Sequence, residues 1–252
     1  MKFDSKIVLI TGASRGIGRA TAIAFAAKGA KIALNYRANL AAAMETLDTL
    51  EGEGHILVKA DIANAEEISA MIAEVTAHFG KLDILVNNAG IFEYHPIDKV
   101  DYETWQAEWQ RTININLIGA ANMMYCAAQQ MIKQGGGRIV NVSSRGAFRG
   151  EPLQPAYGAS KAGMNAMGQS LAQALAPYNI FVGTIAPGFV ETDMAKSVLD
   201  GRDGDYIRDQ SPVGRVAKPE EVAHGILFLA SEGAEFMTGA ILDINGASYL
   251  RS

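Results

Sequence analysis

Ile7-Val8-Leu9-Ile10-Thr11-Gly12-Ala13-Ser14-Arg15-Gly16-Ile17-Gly18 is the stretch on which the fold turns. The apolar residues from Ile7 on predict a short buried strand, and the Ala-rich segment from Ile17 to Lys28 predicts a helix. A glycine-rich turn joins them. Gly12 permits a tight bend, Gly16 lets the backbone approach a bulky anion, and Gly18 lets helix and sheet pack closely. A helix that starts here presents unpaired N–H groups and the positive end of its dipole, which suit a phosphate group. Three residues separate the first two glycines, so the spacing is not plain G-x-G-x-x-G, and no Gly-Lys-Ser/Thr follows to make a P-loop. The bland alternative is a turn that binds nothing; the strand before it and the helix after it argue against that.

The same alternation continues outward. Strands are predicted at 31–35, 56–60, 82–87, 138–142, 180–185 and 240–244. Helices are predicted near 39–51, 65–79, 102–133, 156–176 and 219–231. This order implies one α/β domain over residues 1–252: a doubly wound parallel sheet of about seven strands with helices on both faces. Ligands of such sheets sit outside the carboxyl ends of the strands. The stretch from Pro187 to Val216, rich in Gly, Asp and Arg, is too long for an ordinary connection. A substrate lid is expected over about 188–216, with residues 193–210 as its flexible part.

Composition narrows the function. The 252 residues carry 22 Lys+Arg against 27 Asp+Glu, a net charge of −5, with 49% apolar and 19% charged residues. That excludes a disordered chain and argues against nucleic acid as the main partner. The lone Cys126 excludes a disulfide framework and any multi-cysteine zinc site, and four scattered histidines give no ligand spacing, so no metal is expected. No signal-type stretch and no run of ~18 apolar residues occurs, which points to a cytoplasmic protein with no membrane partner.

Charge near the glycine turn speaks to the ligand. No Asp or Glu occurs from Ser5 to Met44, whereas NAD-selective folds usually place an acid ~20 residues beyond the glycines to hold the ribose 2′-OH. The second strand ends instead in Asn35-Tyr36-Arg37. Arg37 and Arg15 together suit a 2′-phosphate, so NADP(H) is expected to be preferred and NAD(H) possible. Two solvated arginines are the alternative.

Tyr157 and Lys161 stand four apart at a helix start, on one face. An ammonium there is expected to lower the phenol's pKa, making it a proton donor or acceptor near neutral pH. Alone, the pair is a common surface pattern. It gains weight because other strand ends carry small polar or turn residues: Ser143-Ser144, Asn87-Asn88-Ala89-Gly90, and Pro187-Gly188 with Thr192 close behind. Asn116 is an amide in an apolar stretch, with helix capping or a structural bond as its bland reading.

Taken together, these residues resemble the short-chain dehydrogenase/reductase family, from Lys6 to about Gly246. Thr11 to Gly18 is similar to the family's T-G-x-x-x-G-x-G, Asn87 to Gly90 reads N-N-A-G, and Ser144, Tyr157 and Lys161 have the family's Ser-Tyr-Lys spacing. The resemblance implies a Rossmann-type fold and an oxidoreductase acting on a carbonyl or alcohol. It implies that Tyr157 exchanges the proton, Ser144 positions the reacting oxygen, Lys161 binds the nicotinamide ribose and tunes Tyr157, and Asn116 holds a water linking Lys161 to solvent. Ser143 is the rival for the serine role; the spacing favours Ser144. The implied cofactor contacts are Gly12, Ser14, Arg15, Gly16, Ile17, Gly18, Tyr36, Arg37, Asp61, Ile62, Asn88, Ala89, Gly90, Tyr157, Lys161, Pro187, Gly188, Val190 and Thr192.

Within the family, the likeness is to the 3-oxoacyl-(acyl-carrier-protein) reductases and their relatives, so a 3-oxoacyl thioester is one expected substrate and a sugar, steroid or other small ketone or alcohol the alternative. A non-catalytic NADP(H)-binding sensor is a further reading. The basic residues with which those reductases dock an acyl carrier protein correspond here to Gly135 and Tyr178, with Lys133 near, so that partner is uncertain. The expected pocket rim comprises Phe92, Tyr94, His95, Arg145, Phe148, Arg149, Glu151, Leu153, Phe189, Met194 and Tyr206, with Arg145 and Arg149 read as solvated and His95 as an ordinary loop residue. The family's pairing of the 102–133 and 156–176 helices across subunits implies a homotetramer.

Overall fold

Every predicted apolar run forms a strand: β1 (Ile7–Ile10), β2 (Lys31–Tyr36), β3 (Ile56–Lys59), β4 (Ile84–Asn87), β5 (Gly137–Val142), β6 (Ile180–Pro187) and β7 (Ile241–Ile244). The computed structural model describes residues 1–202 and 204–251. Asp203, in the expected lid, and Ser252 lie outside the described residues. The strands form one sheet in the order β3-β2-β1-β4-β5-β6-β7, and every neighbouring pair is parallel.

Parallel strands need crossover connections, and helices supply them on both faces. These are α1 (Gly16–Ala26), α2 (Leu40–Asp48), α3 (Ala65–Phe79), α4 (Tyr102–Ile113), α5 (Ala120–Gln134), α6 (Gly146–Arg149), α7 (Pro155–Leu175), α8 (Asp193–Leu199), α9 (Gly204–Asp209) and α10 (Pro219–Ala230). Period-two alternation sorts the strand residues between two cores. Val8 and Ile10 pack with Phe25 of α1 and with Val222 and Ile226 of α10. Ile7 and Leu9 pack with Met71 of α3, Met123 and Met124 of α5, and Leu175 of α7. The central strands are therefore buried on both faces, which is why their sequences are continuously apolar. Strand order reverses between β1 and β4, and this opens a crevice at their carboxyl ends.

Two stretches differ from the sequence reading. The single helix expected over 102–133 is three segments, because Asn114–Gly119 winds as a π-helix between α4 and α5. Such a wider turn carries an extra residue and is common at functional sites. The irregular stretch after Pro187 contains α8 and α9, whose Ala195, Leu199 and Ile207 make a small cluster with Phe189, Val198 and Val216. Among the described residues, no helix is long and apolar enough to cross a membrane.

Candidate active site

The carboxyl ends of β1, β4, β5 and β6 surround a cleft of about 420 Å³. Its floor at one end is the glycine turn. Gly12 (φ +62°) and Gly16 (φ +55°) adopt left-handed conformations that disfavour any side chain. The turn is held from two sides: Asn35 Oδ1 accepts from Gly12 N at 3.2 Å, and Asn88 Nδ2 donates to Thr11 O and Gly12 O at 2.9 and 3.1 Å. Asn35 also donates to Val58 O and Ala60 O, so it ties the turn to β3. The N-caps of α2, α3 and α4 carry Asn39, Asn64 and Asp101, whose side chains satisfy first-turn N–H groups. At α1 no side chain caps and no acid occupies the first turn, so its N–H groups are left for an anion.

At the far side of this end lie Tyr36, Arg37, Asp61 and Ile62. Arg37 and Arg15 are 57% and 70% exposed, and each has a carboxylate nearby: Asp61 at 3.9 Å from Arg37 and Asp193 at 3.9 Å from Arg15. The absence of acids from Ser5 to Met44 is thus offset by two brought in from later in the chain. Asp61 also accepts from Ala63 N at 2.9 Å, which shapes the turn after β3.

The other end is built on α7 and the segment after β5. Lys161 is 3% exposed and donates through Nζ to Val142 O at 2.8 Å. Burial pulls its pKa down to about 8. Tyr157, one turn earlier, packs edge-on against Phe92, ring centroids 4.7 Å apart, and its ring lies 5.7 Å from Lys161 Nζ. Its pKa is pushed up to about 12: burial is the main cause, hydrogen bonding with Ser144 draws it back, and the Glu151 charge adds to the rise. The expected lowering by Lys161 is therefore not what this geometry gives, because desolvation dominates and the ammonium is turned to a backbone carbonyl. The phenol stands neutral at pH 7, ready to give a proton.

Both serines line the cleft: Ser143 is buried, its Oγ donating to Lys161 O at 3.3 Å, and Ser144 is half-buried, its Oγ accepting from Gly146 N at 3.0 Å. Asn116 sits in the π-helix, fully buried. It clasps the backbone of Ile91, accepting from its N and donating to its O at 2.9 Å each, and donates to Ser160 Oγ at 3.2 Å. The structure thus brings the glycine turn, Tyr36 to Arg37, Asp61 to Ile62, Asn88 to Gly90, Pro187 to Thr192, and Ser144, Tyr157 and Lys161 onto one cleft. Gly18 and Asn116 stand behind its wall. A Cβ on Gly18 would come within 2.5 Å of Gly12 O and 2.6 Å of Asn88 Nδ2, so its smallness serves packing.

The rim divides similarly. Phe92, Arg145, Glu151, Phe189 and Met194 line the cleft; Tyr94, His95, Phe148, Arg149, Leu153 and Tyr206 do not. Arg145 is 3% exposed, donates to Gln210 Oε1 at 2.6 Å and Ser248 Oγ at 2.5 Å, and lies over the Phe189 ring, so it is no solvated arginine. His95 is fully buried and its Nε2 accepts from Ala156 N at 3.2 Å, fixing the start of α7 just before Tyr157. Asn35 and His95 are the positioning residues that sequence reasoning missed; a buried amide at a strand end was the one available signal.

Comparison with known proteins agrees with this geometry. The family model described as "Enoyl-(Acyl carrier protein) reductase" matches residues 12–247. An L-rhamnose 1-dehydrogenase (NAD(P)(+)) of Sphingomonas sp. (strain SKA58) is 40% identical, the match covering 98% of this chain and 97% of that one. A 3-oxoacyl-(acyl-carrier-protein) reductase of Staphylococcus aureus (strain Mu50) is 37% identical over 98% and 99% of the two chains. The crystal structure of a dehydrogenase/reductase from Sinorhizobium meliloti 1021 superposes with a TM-score of 0.90 at 30% identity, covering 99% of this chain and 97% of the other. Fold, cleft and relatives agree: this chain belongs to the short-chain dehydrogenase/reductase family and is an oxidoreductase acting on CH–OH or carbonyl groups.

Proposed function

We propose that the protein is an NADP(H)-dependent oxidoreductase that moves a hydride between nicotinamide and a carbonyl or secondary alcohol. The observation that carries this is the meeting of Tyr157 and Ser144 at the cleft, with Lys161 buried beneath them. When bound, the nicotinamide supplies or accepts the hydride. In reduction, Tyr157 Oη gives its proton to the carbonyl oxygen, and Ser144 Oγ steadies the charge developing there. In oxidation the step runs in reverse, and the deprotonated form of Tyr157 takes the proton of the alcohol. Lys161 holds the nicotinamide ribose and anchors to Val142 O. Asn116 is a positioning residue: its clasp on Ile91 fixes the segment after Gly90. The uncapped start of α1 receives the pyrophosphate, Arg37 and Arg15 the 2′-phosphate, Asp61 and Ile62 the adenine, and the Pro187–Thr192 segment, with Gly188 and Val190, the carboxamide.

Residues 188–216 form the substrate lid, a role supported by the separate apolar cluster of α8 and α9 and by Gln210, which accepts from Arg145 and Arg149. Protection of this segment from hydrogen exchange by NADPH and substrate tests it; equal exchange refutes it. The subunits assemble as a homotetramer, consistent with the outward-facing Tyr102, Ile118 and Tyr125 of the α4–α5 region. Light scattering that reports a monomer at micromolar concentration refutes that.

The relatives' names point to two substrate classes, 3-oxoacyl thioesters and sugars. The test of the reading is NADPH oxidation with a short carrier-free 3-oxoacyl thioester and NADP+ reduction with aldoses, Y157F alongside. Turnover that needs Tyr157 supports it. Turnover that survives in Y157F overturns the mechanism, and NADPH binding with no turnover of any carbonyl favours a sensor.

A further inference from the structure

Glu151 lies on the loop between α6 and α7, half-buried, and lines the same cleft as Ser144 and Tyr157. Its carboxylate rests against Gly146, two residues beyond Ser144: any Cβ at Gly146 would collide with Glu151 Oε1. The charge also acts on the Tyr157 phenol. Its own pKa is raised by burial, with Arg149 and Arg145 drawing it back. Yet these two cations spend their guanidinium hydrogen bonds elsewhere, on Gln210 and Ser248. Among the described residues, the carboxylate takes part in no side-chain hydrogen bond or ion pair, and Glu151 lines the cleft.

A half-desolvated carboxylate without a donor is costly, and more so once a substrate displaces the remaining water. The cost is recovered only if the substrate brings a hydroxyl. A 3-oxoacyl thioester carries methylene and carbonyl groups beside its reacting carbon. It offers no donor on the carbons next to the reacting one and would leave Glu151 unpaired there. A substrate with a hydroxyl on the adjoining carbon would meet it.

We propose that Glu151 is the specificity-determining residue of the site, accepting a hydrogen bond from a hydroxyl next to the reacting carbon, so that the substrate is a polyhydroxylated compound of the sugar or polyol class. The assignment rests on the hydride-transfer reading above and adds the substrate class to it.

The test uses the full-length protein with NADP+ and a panel of aldohexoses and 6-deoxyaldohexoses, each paired with its 2-deoxy counterpart, followed by NADPH absorbance. A short 3-oxoacyl thioester is run in the reverse direction. The quantity read is the ratio of kcat/KM between each sugar and its 2-deoxy partner. A hydrogen bond to a charged group makes that ratio about tenfold or more in the wild type. It should fall close to one in E151L and to an intermediate value in E151Q, whose amide oxygen still accepts. Since E151Q alters no volume, it carries the test should E151L fail to fold. A ratio equal in wild type and E151Q overturns the proposal, as does a wild type that turns over the thioester but no aldose. Failure of the underlying reading is visible separately, as loss of NADPH binding in a fluorescence titration or as turnover retained in Y157F.

Discussion

Replacing Arg37 by leucine should weaken NADPH binding and leave NADH nearly untouched. Two unit charges 4 Å apart interact by about 1 kcal/mol in water and about 4 kcal/mol at an effective dielectric of 20. Arg37 is 57% exposed, which places it toward the watery limit, and Asp61 at 3.9 Å already engages part of its charge. A 2′-phosphate carries more than one negative charge, which works the other way. The balance is about 1–2 kcal/mol, a factor of roughly 5–30 in Kd. Arg15 is 70% exposed and paired with Asp193, so R15L should cost less than R37L. Fluorescence titration of NADPH and NADH, at low salt and at 0.5 M salt, reads all of this. The NADPH preference should shrink at high salt, where the Debye length falls below about 5 Å. A wild type that binds NADH as tightly as NADPH, or an R37L protein that loses both equally, refutes the electrostatic argument.

Three other outcomes follow from the same geometry. Y157F should lower kcat by about 10²–10⁴-fold while the NADPH Kd stays within about twofold, since general acid catalysis has that range; near-normal turnover refutes the proton role. Lys161 has a folded pKa of about 8 against about 10.4 unfolded, so burying it penalises the native state most below pH 8, and the penalty fades as pH rises above 8. Wild type should therefore gain on the order of 2 kcal/mol relative to K161M between pH 7 and pH 9.5, read by urea unfolding, and a pH-independent difference refutes the assignment. N116A orphans the partly buried backbone N–H and C=O of Ile91 and should cost about 2–4 kcal/mol, seen as a drop in Tm of roughly 5–15 °C; a loss under about 1 kcal/mol refutes the clasp.

The sheet was legible because its central strands are buried on both faces. Ile7 to Ile10 cannot be anything but apolar when alternate side chains feed two cores. The glycine turn was legible because the left-handed conformations at Gly12 and Gly16 favour glycine over residues with a side chain. What stayed hidden was set by tertiary contact. The π-helical turn at Asn114–Gly119 changes the phase of an apolar pattern without changing its composition. Asp61 and Asp193 reach Arg37 and Arg15 from the segments after β3 and β6, so counting acids along the first 44 residues could not find them. Arg145 reads as a surface residue in sequence, yet it is buried by bonds to Gln210 and Ser248. The direction of the Tyr157 shift was misjudged for the same reason: the four-residue spacing to Lys161 is local, whereas the desolvation that wins is the work of Phe92 and the rest of the cleft wall.

These differences fall unevenly over the cleft, and that has a physical meaning. The end proposed to take the phosphates is made of backbone: glycine conformations, uncapped N–H groups and strand ends whose positions the sheet dictates. Local sequence is enough to specify it, and one chemistry suits it. The proposed proton-exchanging centre is three side chains on α7 and after β5, held by Val142 O and by the His95 contact at the start of α7. The end proposed to take the substrate has no such scaffold. Its wall is the loop from Ser144 to Gln154 with the segment after Pro187, joined to one another by Gln210 and to the C-terminal tail through Ser248 and the Arg251 guanidinium over Phe148. Side-chain bonds between distant segments set its shape, so substitutions there can change the substrate without disturbing the sheet. Two relatives of almost equal identity can then carry the names of a sugar dehydrogenase and an oxoacyl reductase. Overall identity does not separate the two substrates; the chemical character of a residue such as Glu151, set beside Ser144 and Tyr157 in the cleft, can.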